Sequence, residues 1–203
     1  MNNTQQHWET VFETKNTTEV SWYQKIPQTS IQFFEGLNLP KTCPIIDVGA
    51  GDSYFVDYLL ERKYQNVYVL DISEKALQKT KERLGKKANK VNWVVSDILA
   101  FTTTIKFGFW HDRASFHFQT NEPEINKYIS IADKNIAPNG SMIIATFSES
   151  GPQKCSGLEV KQYSENTLSQ LFEKYFEKIK CVNENHSTPF GTIQNFVFCS
   201  FKK

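Results

Sequence analysis

No apolar run in this 203-residue chain approaches the roughly 20 residues of a membrane-spanning helix, so a soluble, globular protein is expected. Neither sign of charge is in excess. The 23 Lys and Arg stand against 22 Asp and Glu, which gives no sequence-wide basic surface for nucleic acid and no acidic solvating tail. Cysteine is sparse. Cys43, Cys155, Cys181 and Cys199 are too few for a disulfide scaffold, form no Cys-x-x-Cys pair for structural zinc, and read as reduced thiols. The opening residues, MNNTQQHWETVFETK, lack the basic start and apolar stretch of a secretory signal, so the expected location is cytoplasmic. Arginine is rare as well, occurring only as Arg62, Arg83 and Arg113.

What is present suits one domain over residues 1–203, with a helical cap over 1–40 and an α/β core over 41–203. A chain of this length buries about 70% of its unfolded surface, and 39% hydrophobic residues supply the core. From residue 43 short apolar runs alternate with amphipathic segments, the pattern of βαβ units and a largely parallel sheet. CPIIDVG, VYVL, VNWVV, KFGFWH and SMIIATF read as strands one to five, the last following a Pro138-Asn139-Gly140 turn. Between them, 52 to 63 carries one helical stripe, Ser73 caps a helix ending at Gly85, and Pro123 opens a third helix. SESGPQKCSG reads as a long surface loop, Ser164 as a cap for a helix from 165, and FEKIKCV with TIQNFVFCSF as a closing hairpin-like pair. Ahead of the sheet, Trp8, Phe12, Trp22, Tyr23, Phe33 and Phe34 bring more aromatic mass than a free tail needs, so this segment should pack on something.

The most informative segment is IIDVGAGDS, residues 45 to 53. A strand that ends in Gly49-x-Gly51 and opens a helix lets the backbone approach a ligand closely. A dinucleotide site would add a third glycine for helix packing, but Tyr54 stands there, and Asp47 puts a carboxylate at the ligand end of the strand. That charge repels phosphate and attracts an ammonium group. Asp71 ends the second strand, where a carboxylate accepts hydrogen bonds from ribose hydroxyls, and Asp97 follows the third. Any one of these acids could be a helix cap or turn former. Three at successive strand ends, joined to Gly-x-Gly, point instead to a nucleoside with a positively charged tail, of which S-adenosyl-L-methionine is the commonest cofactor.

In order and spacing, residues 45 to 147 resemble the class I S-adenosylmethionine-dependent methyltransferases. IIDVGAGDS is similar to the family's first motif, with Asp47, Gly49, Ala50 and Gly51 in place and Ser53 where many members have a third glycine. VYVLDIS is similar to the ribose-binding strand, which implies Asp71 at the hydroxyls and Ile72 at the adenine face. VVSDILAF implies Asp97 and Ile98 at the adenine edge and flank, and FWHDRASFHF and APNGSMIIATF resemble the fourth and fifth strands with the active-site loop. The resemblance implies a Rossmann-like seven-stranded, mostly parallel sheet with the last strand antiparallel, helices on both faces and an N-terminal helical cap. The HDRA loop resembles that of a group of bacterial methyltransferases, and the front half is also similar to small protein-lysine methyltransferases.

Such a resemblance implies in-line displacement at a sulfonium methyl, with the protein supplying alignment and electrostatics. The candidate catalytic groups are His111, Asp112, Arg113 and His117. His111 directly follows strand four and is expected to line the methionine or acceptor pocket; Asp112 and Arg113 either meet the acceptor or pair at the rim; His117 is either a base or a structural histidine. Arg113 offers a planar fork suited to a carboxylate. Trp22 and Tyr23 either form a lid over the acceptor or staple the N-terminal helix to the sheet. Cys155 reads as a packing cysteine rather than a reactive one. His111, Asp112 and His117 match no standard zinc spacing, and no metal is expected. The expected acceptor is a small molecule, the alternatives being a protein lysine or a non-catalytic binder of the cofactor, with an NAD-linked oxidoreductase weaker still. Nucleic-acid and membrane partners are not expected, since there is no Asn/Asp-Pro-Pro-aromatic tetrapeptide, no Pro-Cys nucleophile and no basic stripe.

Overall fold

The computed structural model describes residues 3–203. Two helices, α1 (Asn3–Thr14) and α2 (Gln28–Glu35), precede the sheet. Strand and helix then alternate as β1 (Pro44–Val48), α3 (Phe55–Glu61), β2 (Asn66–Asp71), α4 (Glu74–Leu84), β3 (Val91–Val95), β4 (Phe107–Arg113), α5 (Glu122–Asn135) and β5 (Ile136–Phe147). A two-strand hairpin, β6 (Lys154–Cys155) and β7 (Leu158–Glu159), leads to α6 (Glu165–Phe172) and to the closing pair β8 (Glu177–Ser187) and β9 (Ile193–Lys202).

Seven strands form one sheet in the order β3-β2-β1-β4-β5-β9-β8. β1 to β5 pair in parallel, whereas β9, last in sequence, runs antiparallel to both β5 and β8. The chain leaves β1 toward β2 and β3 and later returns to β4 on β1's other side, so the carboxyl ends of β1 and β4 flank a topological switch point, where α/β sheets bind ligands. Successive strand residues point to opposite faces, which sorts the core into two layers. Ile46, Trp110 and Val197 pack with Tyr128 of α5 and Phe172 of α6, while Ile45, Phe109 and Phe198 pack with Phe34 of α2, Phe55 of α3 and Leu77 of α4. Phe34 alone meets the edges of Tyr64 and Phe109 at centroid distances of 5.0 and 4.8 Å, so the early aromatic segment is part of the core.

Local signals account for the element ends. Ser73 accepts from the Ala76 amide at the start of α4, Gly85 closes that helix at φ 55°, and the Ser164 side chain caps α6. Three expectations are corrected. The Pro138-Asn139-Gly140 segment lies inside β5 as a bulge, between the pairs Phe107↔Ile136 and Phe109↔Ser141, because Asn139 and Gly140 exchange backbone hydrogen bonds with Lys203. SESGPQKCSG is not an open loop: Ser156 (φ 49°) and Gly157 (φ 83°) turn the β6–β7 hairpin and bury Cys155. Cys181 and Cys199 are not reduced thiols. The register of β8 on β9 sets them opposite each other, and they form a disulfide, leaving Cys43 and Cys155 free.

Candidate cofactor and acceptor site

The turn from β1 into α3 carries the site. Gly49 and Gly51 adopt left-handed φ values of 60° and 56°, which side chains disfavour. Their missing Cβ atoms leave room for the walls of a cavity: a Cβ on Gly49 would fall 2.3 Å from the Cβ of Ser115, and one on Gly51 would fall 3.0 Å from the Phe12 ring. The Gly51 amide donates to Asp71 Oδ2 (2.7 Å), and the Ala50 amide to the Leu70 carbonyl (3.1 Å). Ser53 Oγ accepts from the Phe55 amide at the start of α3. Arg83, from α4, clamps the outer side of the turn. It donates to the Asp52 and Ser53 carbonyls at 2.7 and 2.6 Å, pairs with Asp57 and lies over the Tyr54 ring.

Around this turn lies a cavity with about 1140 Å³ of space between protein atoms, its open mouth included. Asp47, Asp71, Ile72, Asp97 and Ile98 all line it, as do Ala50 and Ser53. Asp71 accepts from the Gly51 and Ser73 amides, one on each oxygen, and burial pushes its carboxyl up to about 6. Asp97 caps a short turn by accepting from the Leu99 amide. Asp47 sits opposite His111 in the β1–β4 register, and its Oδ1 lies 2.6 Å from His111 Nδ1. The other imidazole nitrogen lies 2.9 Å from Ser30 Oγ of α2. Asp47 Oδ2 is buried with no partner among the described residues. A buried carboxylate with one free oxygen at a cavity wall calls for a cation.

Strand parity separates Asp112 from His111 and Arg113. Arg113 shares His111's face of β4, lines the cavity, donates to the Trp22 carbonyl (3.1 Å) and lies over the Phe196 ring, 4.8 Å from its centroid. Burial lowers its guanidinium to about 10, so it remains a cation at neutral pH. Asp112 points to the opposite face. Its carboxylate accepts from Tyr128 Oη (2.6 Å) and from the Ser115 and Phe116 amides, and it does not reach the cavity. Burial raises it to about 6. The expectation of an acceptor contact for Asp112 is therefore corrected: a period of two cannot put 111, 112 and 113 on one side.

Of the two readings of His117, the catalytic one is corrected and the structural one holds. It is fully buried off the cavity, between the Phe118 and Phe147 rings, and its Nδ1 accepts from the Phe147 amide at 3.3 Å. Burial, aided by the Arg113 charge, lowers it to about 3, so it is neutral throughout the physiological range and makes a poor general base.

The cover over the cavity comes from the N-terminal segment. Trp22 meets Trp8 and Phe12 edge-on at 6.0 and 6.1 Å, Trp8 meets Phe118 at 5.1 Å, and Tyr23 faces Tyr54 at 6.0 Å. All six rings line the cavity. Cys155 joins them there, with burial raising its thiol to about 11, which keeps it protonated. Trp8, Phe12, Phe118 and Arg83 escaped the sequence reading of the site. The available signals were the surplus of aromatic residues before the sheet and the rarity of arginine.

The fold is a doubly wound α/β sheet with a cavity at its switch point, and the comparisons with known proteins give its family. Residues 39–195 match the methyltransferase domain model, and the chain belongs to that family. It is 26% identical over 106 residues to malonyl-[acyl-carrier protein] O-methyltransferase 2 of Ilyobacter polytropus, covering 52% of this chain and 39% of that protein. It is 25% identical over 157 residues to EEF1A lysine methyltransferase 2 of Danio rerio, covering 74% of this chain and 61% of that one. The chain thus spans less than two thirds of the length of either curated relative. In fold it is similar to the N-methyltransferase NodS of Bradyrhizobium japonicum, solved with S-adenosyl-L-homocysteine, at a TM-score of 0.72 and 15% identity, covering 100% of this chain and 99% of that one. No helix among the described residues is long and apolar enough to cross a membrane.

Proposed function

We propose that this methyltransferase moves a methyl group from S-adenosyl-L-methionine to a small-molecule acceptor. The observation that carries the assignment is the buried, unpartnered oxygen of Asp47 beside the Gly49-Ala50-Gly51 turn, which suits a cationic cofactor and opposes a pyrophosphate. When bound, the cofactor supplies an electrophilic sulfonium methyl. Asp71 keeps one further lone pair on each oxygen for ribose hydroxyls, Asp97 meets the adenine edge, and Ile72 and Ile98 flank the ring. Ser53 borders the methionyl end. His111 fixes Asp47 rather than acting as a free base, since both of its nitrogens are engaged. Trp22, Tyr23 and Arg113 hold the acceptor, and their work is alignment and exclusion of water.

A small acceptor is preferred to a protein lysine because α1 and the aromatic rings around Trp22 roof the cavity, whereas a protein side chain needs an open groove. A cytoplasmic location completes the proposal. Nucleic acid is left out because 23 basic against 22 acidic residues give no excess charge for a phosphate backbone.

The test is transfer of labelled methyl from S-adenosylmethionine into pooled metabolites and, separately, into lysine-rich proteins. Label in a small-molecule pool that disappears with Asp47→Asn supports the proposal. Label only in protein moves the acceptor to lysine, and none anywhere, with cofactor binding intact, makes the protein a non-catalytic binder.

The Asp71 carboxyl adds a pH signature. Hydroxyl donors favour its ionised form, so binding lowers a pKa that stands at about 6 in the free protein. Binding then releases a proton below about pH 6, and affinity for S-adenosylhomocysteine is expected to rise from pH 5 to about 6.5 and level off above. Calorimetry across that range checks it, and Asp71→Asn should flatten the low-pH limb.

A further inference from the structure

α1 carries one buried charge, Glu9, only 7% exposed. Both of its carboxylate oxygens are spent on the N-terminus of α4. Oε1 accepts from the Glu74 amide (2.8 Å), while Oε2 accepts from Ser73 Oγ (2.8 Å) and the Lys75 amide (3.1 Å). The two amides are donors that an 11-residue helix leaves unpaired, at the positive end of its dipole, so a carboxylate is held there firmly. Two outer contacts follow the same line, an ion pair of Lys75 with Glu13 (2.5 Å) and a hydrogen bond from Lys79 to the Lys15 carbonyl. Being exposed, they add little.

The inner clasp touches the cofactor site through one residue. Ser73, whose hydroxyl donates to Glu9, gives its amide to Asp71 Oδ1, and Asp71 Oδ2 in turn takes the Gly51 amide. On the cavity side of α1, the Phe12 ring stands on Gly51 and Trp8 leans on Phe118 and Trp22. Thr4, Trp8 and Phe12 all line the cavity. A ligand in the cavity beside Asp71 and Gly51 is therefore bordered by α1, and lifting of the helix widens its way out.

We propose that Glu9 is a positioning residue that sets how long the cofactor and its product stay bound, by clasping α1 shut over them at the start of α4. This rests on the assignment of the cavity to S-adenosylmethionine. Glu9→Gln is the diagnostic change. Whichever way its amide turns, the nitrogen faces at least one amide donor that the carboxylate accepted, so the clasp is opposed rather than merely weakened.

The experiment is stopped-flow displacement of S-adenosylhomocysteine, read through the fluorescence of Trp8 and Trp22. Dissociation from Glu9→Gln is expected to be about tenfold faster or more, with association faster as well, because the open form is the one that binds and releases. Hydrogen exchange should show residues 3–14 opening faster in the variant while β1, β4 and β5 keep their protection. A merely structural cap would lower the melting temperature and leave dissociation within twofold of wild type, which would overturn the proposal.

The wild type alone gives a second test, needed if Glu9→Gln fails to fold. The α1 amides must exchange through an opening that leaves the sheet protected, and exchange of α1 only together with the sheet would also overturn the proposal. Failure of the wild type to bind S-adenosylhomocysteine, with α1 opening as described, would fall on the cofactor assignment and not on the clasp.

Discussion

Replacing Asp71 by alanine is expected to weaken binding of S-adenosylhomocysteine at least about a hundredfold, the largest binding effect of any single substitution in the site. Two losses combine. On the proposed assignment the ribose hydroxyls lose a charged acceptor, and a hydrogen bond to a charged group contributes about 1.5 to 3 kcal/mol. The Gly51 and Ser73 amides, 2.7 and 2.8 Å from the carboxylate, lose the partner that holds the glycine turn and the start of α4 in place. Each buried donor left unpaired costs roughly 1 to 3 kcal/mol. Asp71→Asn should fall between, since its carbonyl oxygen still serves one amide. Calorimetry with S-adenosylhomocysteine, alongside a melting curve to confirm folding, reads both terms. A change under threefold for the folded alanine variant would remove Asp71 from the ribose site.

Asp112→Ala is expected to have the largest effect on stability while sparing the cofactor contacts. The carboxylate joins β4, the turn after it and α5 by accepting from Tyr128 Oη, the Ser115 amide and the Phe116 amide, all without exposure to water. Alanine leaves three donors unpaired and removes buried volume, which together cost roughly 3 to 5 kcal/mol. For a domain of this size the melting temperature should fall by about 8 to 15 °C. At a temperature where the variant is folded, its affinity for S-adenosylhomocysteine should lie within about threefold of wild type. A stable variant with lost methyl transfer would return Asp112 to the reacting groups.

The contrast between these two aspartates shows what the sequence could and could not reveal. That Asp47, Asp71 and Asp97 line one cavity was legible because each lies at or just past the carboxyl end of an apolar strand, and strand ends at a switch point face one place. Asp112 was misplaced for a local reason and His117 for a distant one. β4 continues two residues beyond KFGFWH, so HDR obeys strand parity instead of loop geometry, and parity alone puts Asp112 opposite His111 and Arg113. His117 lies in a single 3₁₀ turn whose direction is set by the Phe147 amide, 30 residues away in the chain.

The remaining misses depend on contacts between distant segments. The Cys181–Cys199 bond follows from the β8–β9 register, which no composition rule fixes. Glu9 looks like an ordinary polar residue of an amphipathic helix until α4 is laid against it, 64 residues further on. Arg83 likewise reaches the Gly-x-Gly turn only because α4 runs beside α3.

The most direct test of the central claim is calorimetric titration of the wild-type protein with S-adenosylhomocysteine and, in parallel, with NAD. The free oxygen of Asp47, the glycine turn and the acids at Asp71 and Asp97 predict one site for S-adenosylhomocysteine with a dissociation constant on the order of micromolar, about −8 kcal/mol, and no measurable heat from NAD. Tighter binding of NAD, or no binding of S-adenosylhomocysteine by the folded protein, would contradict the account.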